Sequence, residues 1–234
     1  MVNVGAGTGS YEPVDRQVVA IEPSSVMLGQ RPEGAAPSVQ AVAEHLPLSD
    51  GMADAALAVL TMHHWDDWRA GLRELQRVAG RLVVVTIDPA VHADTWVIRE
   101  YVPEIGELDA GRIPHAAIVE ALGAEVTVLP LTRDFTDGLL GAYWCRPEAY
   151  LDPEVRSHMS GFVQVDPGVV DRAMDRLRSD LASGAWADRH GHLDNLDTYD
   201  AGFRLLVADA PGSDSRSAGG SRKTQRHQMA GRPD

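Results

Sequence analysis

The chain has 234 residues and a formal net charge of -13, with 44% hydrophobic and 24% charged residues. That length suits one α/β domain with an appended subdomain, and that balance is ordinary for a folded globular protein. The acidic charge argues against nucleic acid as a partner, because nucleic-acid-binding surfaces gather Lys and Arg. Only Cys145 is present and no apolar run approaches the roughly 20 residues that span a bilayer, so we expect a cytoplasmic protein with no membrane partner.

Four apolar segments in the first 60 residues are typical of strands buried in a parallel sheet. The first, residues 1–5, runs directly into a glycine loop, and the second is residues 17–22. Residues 38–42 predict a weaker third strand. Residues 53–60 predict a fourth, for which a helix is the competing interpretation. Strands that alternate with loops and helices indicate right-handed crossovers and a doubly wound sheet.

A capped helix and the most strand-like run of the chain come next. Asp66 or Asp67 can cap a helix whose apolar residues recur at helical spacing from Trp68 and which ends near Gly80. Residues 81–87 contain three consecutive valines and are predicted as the fifth strand. We expect this helix to cover the sheet.

The pattern becomes less regular after the fifth strand. Residues 92–112 are an aromatic-rich helical stretch, interrupted by Pro103, which we interpret as a lid over the sheet. A helix over residues 114–122 and a sixth strand over residues 124–129 follow it. The sheet is therefore expected to resume beyond the lid.

The patterns divide the chain into a core and an insertion. Residues 1–133 and 200–209 are assigned to the sheet domain, the latter as its last strand. Residues 134–199 are predicted to be a helical insertion that shapes the substrate site, and the polar residues 210–234 to be disordered. One helix of the insertion places four apolar side chains on one face: Val170, Met174, Leu177 and Leu181.

The glycine loop, residues 5–9, follows a strand and has the composition of a phosphate- or nucleotide-binding turn. Glu22 ends the second strand, 17 residues after Gly5, where a carboxylate can accept hydrogen bonds from a ribose diol. The pair indicates an adenosine-containing ligand. Taken alone, the glycines are a weak signal, because a glycine-rich turn between a strand and a helix is often only a tight turn.

Four segments together make the chain resemble the class I S-adenosylmethionine (SAM)-dependent methyltransferases of type 11. Residues 4–9 look like the first motif of that family, residues 19–23 like the second, and residues 40–48 like its adenine-binding stretch. Residues 54–65 resemble its fourth strand and the loop that follows. The resemblance implies a mostly parallel, seven-stranded Rossmann-like α/β sheet. It also implies SAM as cofactor and methyl transfer to O, N or C of a small molecule.

The resemblance further implies which residues contact SAM. The glycine loop would face the methionine part, Glu22 the ribose hydroxyls, residues 43–44 and Pro23 the adenine, and the backbone carbonyls after the fourth strand the amino group. The implied cofactor-binding residues are Gly5, Ala6, Gly7, Glu22, Pro23, Ala43, Glu44, Leu60 and Thr61.

The sequence also departs from the family pattern. Asn3 stands near the end of the first strand, where the family uses an acidic or polar residue to contact the amino group. Members usually have one or two helices before the first strand, which this sequence does not show ahead of residue 5. Either an internal start or a genuine loss would explain this. Residues 10–16, which include Pro13, are too few for the usual first crossover helix.

Catalytic and substrate residues are less strongly indicated. A base is needed only when the acceptor carries a proton that must leave, and His63 or His64 could provide it beyond the fourth strand. Helix capping or packing beside Trp65 is the alternative for both histidines. Five residues are candidates for an acceptor pocket, with the alternative that aromatic residues at helical spacing belong to the core: Trp96, Arg99, Tyr101, Tyr143 and Trp144.

Other functions remain open. His190 and His192 lack an evident third ligand, so no metal is expected. A nicotinamide-dependent oxidoreductase would use similar glycines and an acidic residue, but normally in a different glycine spacing. A non-catalytic binding protein that retains the fold is the alternative from another class. The insertion could also carry a homodimer contact.

Overall fold

The computed structural model describes residues 1–112 and 114–211. A seven-stranded sheet and a small two-stranded ribbon organise the described part of the chain. The strands in chain order are β1 (Val2–Val4), β2 (Val19–Ile21), β3 (Ser38–Val39), β4 (Ala53–Val59), β5 (Ala79–Ile87), β6 (Glu125–Val128), β7 (Leu131–Thr132), β8 (Thr198–Tyr199) and β9 (Phe203–Asp209).

The large sheet has the order β3-β2-β1-β4-β5-β9-β6. Strands β1 to β5 are parallel to one another, whereas β9 runs antiparallel to both β5 and β6. β1 is central, with Val2 opposite Val19 of β2 on one side and Ala56 of β4 on the other. The predicted fold class, a mostly parallel seven-stranded Rossmann-like sheet, is confirmed. The fourth segment is a strand and not a helix.

The helices are mostly short, and the last four of them lie within the insertion. In chain order they are α1 (Ser25–Gly29), α2 (Trp68–Val78), α3 (Pro89–Ala93), α4 (Pro103–Arg112), α5 (His115–Leu122), α6 (Pro153–Ser157), α7 (Ser160–Gln164), α8 (Pro167–Ser183) and α9 (Ala185–His190). A π-helical turn spans Val97–Tyr101, and single 3-10 turns span Met62–His64, Pro147–Leu151 and Gly191–Asn195.

Helix α2 shows how the local sequence sets its limits. Of the two aspartates considered, Asp67 is the cap: its carboxylate accepts hydrogen bonds from the backbone N–H groups of Arg69 at 2.9 Å and Ala70 at 3.0 Å. The helix ends at Val78, earlier than the predicted end near Gly80. The reason is that Ala79 has an extended backbone and pairs with Ala53 of β4. The residues predicted to end the helix therefore belong to strand β5.

The described residues have two hydrophobic cores. One lies on the sheet and includes Leu75, Leu82 and Leu206, each fully buried. The other lies in the helical part and centres on Trp96, whose ring meets the ring of Tyr150 edge to face at a centroid distance of 5.5 Å. The face of α8 predicted to be apolar packs into this second core through Val170, Met174 and Leu177, while Leu181 is half-buried at its edge.

Strands β7 and β8 join the two ends of the insertion, a contact that the sequence did not predict. Leu131 lies opposite Tyr199 and Thr132 opposite Thr198 in this antiparallel ribbon. The disordered tail predicted from the sequence starts at residue 210, but that residue is part of the folded structure. Ala210 is buried and its N–H donates to the carbonyl of Gly80 at 2.8 Å, whereas residues 212–234 lie outside the described residues. None of the described helices combines the length and apolar character that a bilayer span requires.

Two residues that lie opposite each other on β9 and β6 differ in burial, so we expect their truncation to alanine to lower stability by different amounts. Leu206 of β9 is fully buried, and Val126, directly opposite on β6, is 42% exposed. Leu206→Ala removes a side chain from a packed core and should lower the free energy of unfolding by about 2–5 kcal/mol. Val126→Ala should lower it by less than about 1 kcal/mol. Urea unfolding of both variants tests this, and equal losses would contradict the assigned core.

Candidate functional site

A cavity of ≈ 1070 Å3 opens at the carboxyl ends of the parallel strands. It lies where β1 and β4 are neighbours. From β1 the chain continues outward to β2 and β3 on one side, and from β4 it continues outward to β5 on the other side. Open α/β sheets bind their ligands at such a switch point. Ligand pockets typically measure about 300–1,000 Å3, so the volume of this cavity lies at the upper end of the usual range.

The glycine loop forms one wall of the cavity, and Gly5 lies against Thr61 at the end of β4. Gly5 has a φ of 69°, and a Cβ atom built there would come within 1.9 Å of Thr61 Oγ1. Its N–H donates to the carbonyl of Ile21 at 2.8 Å. The loop can therefore sit between the ends of β2 and β4 only because residue 5 has no side chain.

Glu22 fixes the glycine loop from the end of β2. It is 5% exposed, and its carboxylate accepts hydrogen bonds from the N–H of Gly7 at 2.8 Å and from the N–H of Ser24 at 2.9 Å. Each carboxylate oxygen accepts one of these bonds and keeps capacity for a further donor. Because Glu22 lines the cavity, that capacity is available to a bound hydroxyl group.

A buried ion pair between Arg31 and Glu12 supports the glycine loop, which no crossover helix follows in the described part of the chain. Residues 10–16 form turns, as their length predicted. Arg31 and Glu12 pair at 2.6 Å with side chains only 6% and 9% exposed. Arg31 also donates to the carbonyl oxygens of Gly7 at 3.2 Å and Ala36 at 3.1 Å. The guanidinium group thus holds the carbonyl side of the glycine loop, and sequence reasoning did not identify it.

The segment that follows β3 forms the opposite wall. Ala43 is buried and Glu44 is half-buried, and both line the cavity. Helix α2 holds this segment in place: Glu74 accepts a hydrogen bond from the N–H of Leu46 at 2.7 Å, and Arg77 donates to the carbonyl of Leu46 at 3.1 Å. A hydrogen-bonded ion pair at 2.7 Å joins Glu74 to Arg77 and lowers the pKa of the Glu74 carboxyl.

The end of β4 is conformationally unusual. Leu60 has a φ of 50°, the one positive φ at a residue other than glycine in the described segments. Such conformations are uncommon for branched side chains and concentrate at functional sites. Thr61 is buried beside it and accepts a hydrogen bond from the indole N–H of Trp65 at 3.3 Å.

The structure brings all nine residues proposed for the cofactor onto the walls of this one cavity: Gly5, Ala6, Gly7, Glu22, Pro23, Ala43, Glu44, Leu60 and Thr61. Asn3, whose role the sequence left open, is buried within β1.

His63 and His64 also line the cavity, on the 3-10 turn after β4, with ring centroids 3.9 Å apart. Burial, chiefly, lowers the pKa of His63 to about 4, with smaller contributions from His64 and Arg112. His63 is therefore neutral at pH 7, and it holds an accepted proton weakly. Burial is also the main cause that lowers the pKa of His64, and the positive charge of Arg112 lowers it further.

The five residues proposed for the acceptor pocket are not all at the cavity. Tyr143 lines it. Trp96, Tyr101 and Trp144 are no more than 2% exposed and belong to the helical core, so we correct their assignment to the core alternative. The indole N–H of Trp96 donates to the carbonyl of Trp144 at 2.9 Å, and the Tyr101 hydroxyl donates to Asp180 at 2.8 Å. These side chains fill the interior behind the pocket.

Arg99 is likewise absent from the cavity wall. Its guanidinium group is half exposed and pairs with Asp94 at 2.8 Å and Glu100 at 3.2 Å. The segment predicted as a lid consists of α3, the π-helical turn and α4. It contributes other residues to the cavity, and its role as a lid stays a prediction.

Three cavity residues of that segment were not singled out from the sequence: His92, Asp109 and Arg112. His92 Nε2 lies 3.7 Å from Asp109 Oδ2. One signal was available for His92, because it follows the carboxyl end of a parallel strand closely, where ligands bind. Asp109 and Arg112 lie on a helix whose position the sequence did not reveal.

A hydrogen bond joins the two sides of the cavity mouth. The Tyr11 hydroxyl donates to Asp137 Oδ2 at 2.6 Å, linking the turns after the glycine loop to the insertion. Both residues line the cavity. Burial, followed by the Asp137 carboxylate, raises the pKa of Tyr11, so the hydroxyl remains a donor.

Metal ligation finds no support in residues 1–112 and 114–211, where no group of three or more His, Cys, Asp or Glu side chains is arranged to hold an ion. His190, one of the two histidines considered, is buried, and its Nε2 lies 3.0 Å from the carboxylate of Glu100.

Comparison with known proteins identifies the family of the sheet domain. Residues 2–84 match the methyltransferase domain family. The whole described fold is similar to a crystal structure from Anabaena variabilis ATCC 29413, described as a methyltransferase from an antibiotic biosynthesis pathway. The identity is 29%, the TM-score is 0.82, and the match covers 88% of this chain and 89% of that chain. No curated protein matches the sequence.

Two other solved structures show weaker likeness. A Thermotoga maritima protein, described as a SAM-dependent methyltransferase and possible histamine N-methyltransferase, is 26% identical over 56% of this chain and 67% of that chain, with a TM-score of 0.45. Geranyl diphosphate C-methyltransferase from Streptomyces coelicolor A3(2), solved with Mg2+, geranyl diphosphate and S-adenosylhomocysteine, is 15% identical over 89% and 70%, with a TM-score of 0.46. Because both TM-scores are below 0.5, we draw no conclusion about the site from these two structures.

The contact between Gly5 and Thr61 leads to a first prediction for the site. Gly5→Ala places a methyl group in the space of the Thr61 side chain and keeps a positive φ. Gly7→Ala also keeps a positive φ, of 54°, but its Cβ would meet nothing nearer than Met27 Sδ at 3.8 Å. The left-handed strain alone costs about 1–2 kcal/mol. Thermal unfolding should therefore show a clearly larger loss for Gly5→Ala, and equal losses would argue against the close contact.

The buried ion pair leads to a second prediction. Arg31→Met leaves the Glu12 carboxylate buried without its partner and should cost about 3–5 kcal/mol of unfolding free energy. Arg16→Met is the matched control, since Arg16 and its partner Asp15 are 66% and 71% exposed and such surface pairs contribute about 0–1 kcal/mol. Denaturant unfolding compares the two. A loss for Arg31→Met no greater than that of the control would show that the pair does not hold the loop.

Proposed function

Because the chain belongs to the class I SAM-dependent methyltransferases in family and fold, we propose that it transfers a methyl group from SAM to a small molecule bound in the same cavity. The observation that carries the proposal is the convergence of nine separate cofactor positions on the cavity at the switch point of the sheet. They come from the ends of three parallel strands and from the segment after a fourth. No single loop could supply all of them.

The residues present fit SAM in their chemistry. Gly5 and Gly7 line the cavity and carry no side chain, so the loop backbone can contact the methionine part directly. The Glu22 carboxylate would accept hydrogen bonds from the ribose hydroxyls. Ala43 and Pro23 would offer apolar contacts to the adenine, with Glu44 beside them. The backbone at Leu60 and Thr61 would receive the amino group.

SAM supplies a methyl group on a positively charged sulfur, which a nucleophile attacks in line with the carbon–sulfur bond. The protein therefore contributes position and orientation more than covalent chemistry. The loop, Glu22 and the residues after β4 would fix one partner against the sheet. The Tyr11–Asp137 hydrogen bond at the mouth would restrict water. The site needs no nucleophilic side chain.

The remaining part of the cavity would hold the acceptor. Its walls include apolar side chains from the sheet, the helical segment and the insertion: Ile87, Ile105, Leu139, Leu140, Tyr143 and Phe203. A small, largely apolar molecule suits these walls. His63 and His64 remain hypothetical bases for an acceptor that must lose a proton.

Two alternatives use the same geometry differently. A non-catalytic protein would bind SAM or its product and assemble with a partner, and the insertion could carry a contact in a homodimer. A nicotinamide enzyme would bind NAD at the same switch point. The methyltransferase-domain match over residues 2–84 favours the proposed function over the second of these. The cytoplasmic location proposed with it rests on the sequence, whose single cysteine forms no intrachain disulfide.

Isothermal titration calorimetry with SAM, S-adenosylhomocysteine and NAD tests the proposal. We expect micromolar binding of S-adenosylhomocysteine and none of NAD. Glu22→Ala removes a charged hydrogen-bond acceptor and should weaken binding by about 1.5–3 kcal/mol. Glu33→Ala, at an exposed position of equal charge, is the control and should bind like the parent protein. Unchanged affinity in a folded Glu22→Ala variant would remove the cofactor assignment. A folded protein that binds neither SAM nor S-adenosylhomocysteine would contradict the proposal.

A further inference from the structure

The acceptor part of the cavity contains a carboxyl group backed by a buried histidine. The His92 imidazole is 2% exposed, and its Nδ1 lies 2.7 Å from the carbonyl oxygen of Ala201. A carbonyl oxygen only accepts hydrogen bonds, so Nδ1 carries the proton. In the neutral ring Nε2 is therefore a bare acceptor. It is directed at the helix that bears Asp109, 3.7 Å from a carboxylate oxygen.

Close helix packing produces this juxtaposition. A Cβ atom on Gly106 of α4 would come within 2.9 Å of Ala93 Cβ on α3. The small residues Ala93 and Gly106 therefore let α3 and α4 touch. His92 is the residue before Ala93 on α3, and Asp109 is three residues after Gly106 on α4. The pair is consequently part of the packed structure and does not depend on a mobile surface loop.

Burial disfavours the charged form of both groups, so a full ion pair between them is costly. Burial lowers the pKa of His92 and raises the pKa of Asp109, with the neighbouring charge opposing the change in each case. The Asp109 carboxylate is thereby a stronger proton acceptor than an ordinary surface aspartate.

Asp109 is the more exposed of the two side chains, both of which line the cavity. Its side chain is 23% exposed, against 3% for His92. The charged groups that act on it are His92 from α3 and Arg112 from the next turn of its own helix. Arg112 also acts on His63 and His64 across the cavity and is hydrogen-bonded to Gln164 of α7. A positive charge at this point favours an anionic oxygen and disfavours a cationic amine.

We propose that Asp109 is the proton acceptor for a hydroxyl-bearing methyl acceptor of apolar body, such as a phenol, with His92 as the residue that positions it and Arg112 as the group that stabilises the developing oxyanion. The inference rests on the proposed methyl transfer. In the step, the acceptor O–H bond breaks and its proton goes to an Asp109 oxygen. The electron pair left on oxygen forms the bond to the methyl carbon while the carbon–sulfur pair passes to sulfur. The proton on Asp109 then leaves to solvent.

His63 is the rival base, and the structure weighs against it. A general base works best when its pKa lies near the working pH. The pKa of His63, about 4, is far below neutrality, and its direct neighbours His64 and Arg112 would oppose the charge that it gains on accepting a proton. Asp109 instead becomes neutral when it accepts a proton, which a partly buried site favours.

Methyl transfer from radiolabelled SAM to thymol and eugenol, with benzylamine and phenethylamine as cationic amines for comparison, tests the proposal. Asp109→Asn keeps the shape of the side chain and removes the base. It should lower hydroxyl methylation by about 100-fold or more and abolish the rise of rate with pH, while S-adenosylhomocysteine still binds. Glu107→Gln, an exposed acid on the same helix, is the control and should behave like the parent protein.

His92→Asn tests the positioning role, because the amide can still donate to the Ala201 carbonyl but has no counterpart of Nε2. The opposing effect of His92 on Asp109 is then lost, so the midpoint of the pH–rate profile should move to higher pH. An independent readout is the NMR titration of the His92 ring in the S-adenosylhomocysteine complex. The Asp109 charge raises the pKa of His92, so Asp109→Asn should make the ring titrate at lower pH, and Glu107→Gln should not.

The outcomes separate the two proposals. If the parent protein does not bind S-adenosylhomocysteine, the proposed function itself fails. If it binds normally, three results would overturn the role of Asp109: an unchanged pH–rate profile in Asp109→Asn, loss of the profile in His63→Gln instead, or methylation of the amines in preference to the hydroxyl compounds. Absence of methylation of every hydroxyl compound by a protein that binds S-adenosylhomocysteine would overturn the acceptor class.

Discussion

The close approach of Gly5 to Thr61 is the constraint on which the site depends. Parallel pairing of β1 with β4 directs the two following loops to the same edge of the sheet, where they compete for space. The absence of a side chain at residue 5 lets both loops occupy it. Glu22 then reaches the N–H of Gly7 from the next strand, and Arg31 holds the carbonyl of the same residue. The loop is fixed from both faces of its backbone.

These contacts explain how the site tolerates a β1–β2 connection without a helix. A crossover helix would normally satisfy the backbone groups after a glycine loop. Here the Arg31–Glu12 pair and the N–H of Ala36 form a compact polar network in its place. A buried pair of this kind is costly unless every remaining polar group is satisfied, and Arg31 meets that condition by donating to two carbonyl oxygens. The order of the loop therefore comes from this polar network and not from helix packing.

The sheet and the cofactor wall could be predicted from the sequence because local patterns determine them. Valine runs bounded by turn residues place strands such as β5, and the strand ends place Gly5 and Glu22 at one edge. The acceptor side could not be predicted in the same way. Trp96 and Tyr101 have the composition of a pocket but point into a core, which depends on how α8 and α9 pack. The pairing of His92 with Asp109 depends on the contact between Gly106 and Ala93, which leaves no local signal.

The short ribbon of β7 and β8 gives the insertion a common point of entry and exit on the sheet domain. Residues 131–132 and 198–199 are paired, so about 65 residues leave and return through one narrow neck. A segment attached in this way can lengthen, shorten or be exchanged without altering the order of the strands. The residues that would choose the acceptor lie largely beyond that neck or on the adjoining helices, whereas those that would bind the cofactor lie before it. Substrate preference and cofactor use can therefore diverge separately in evolution, and the neck marks where a chimeric protein could be joined.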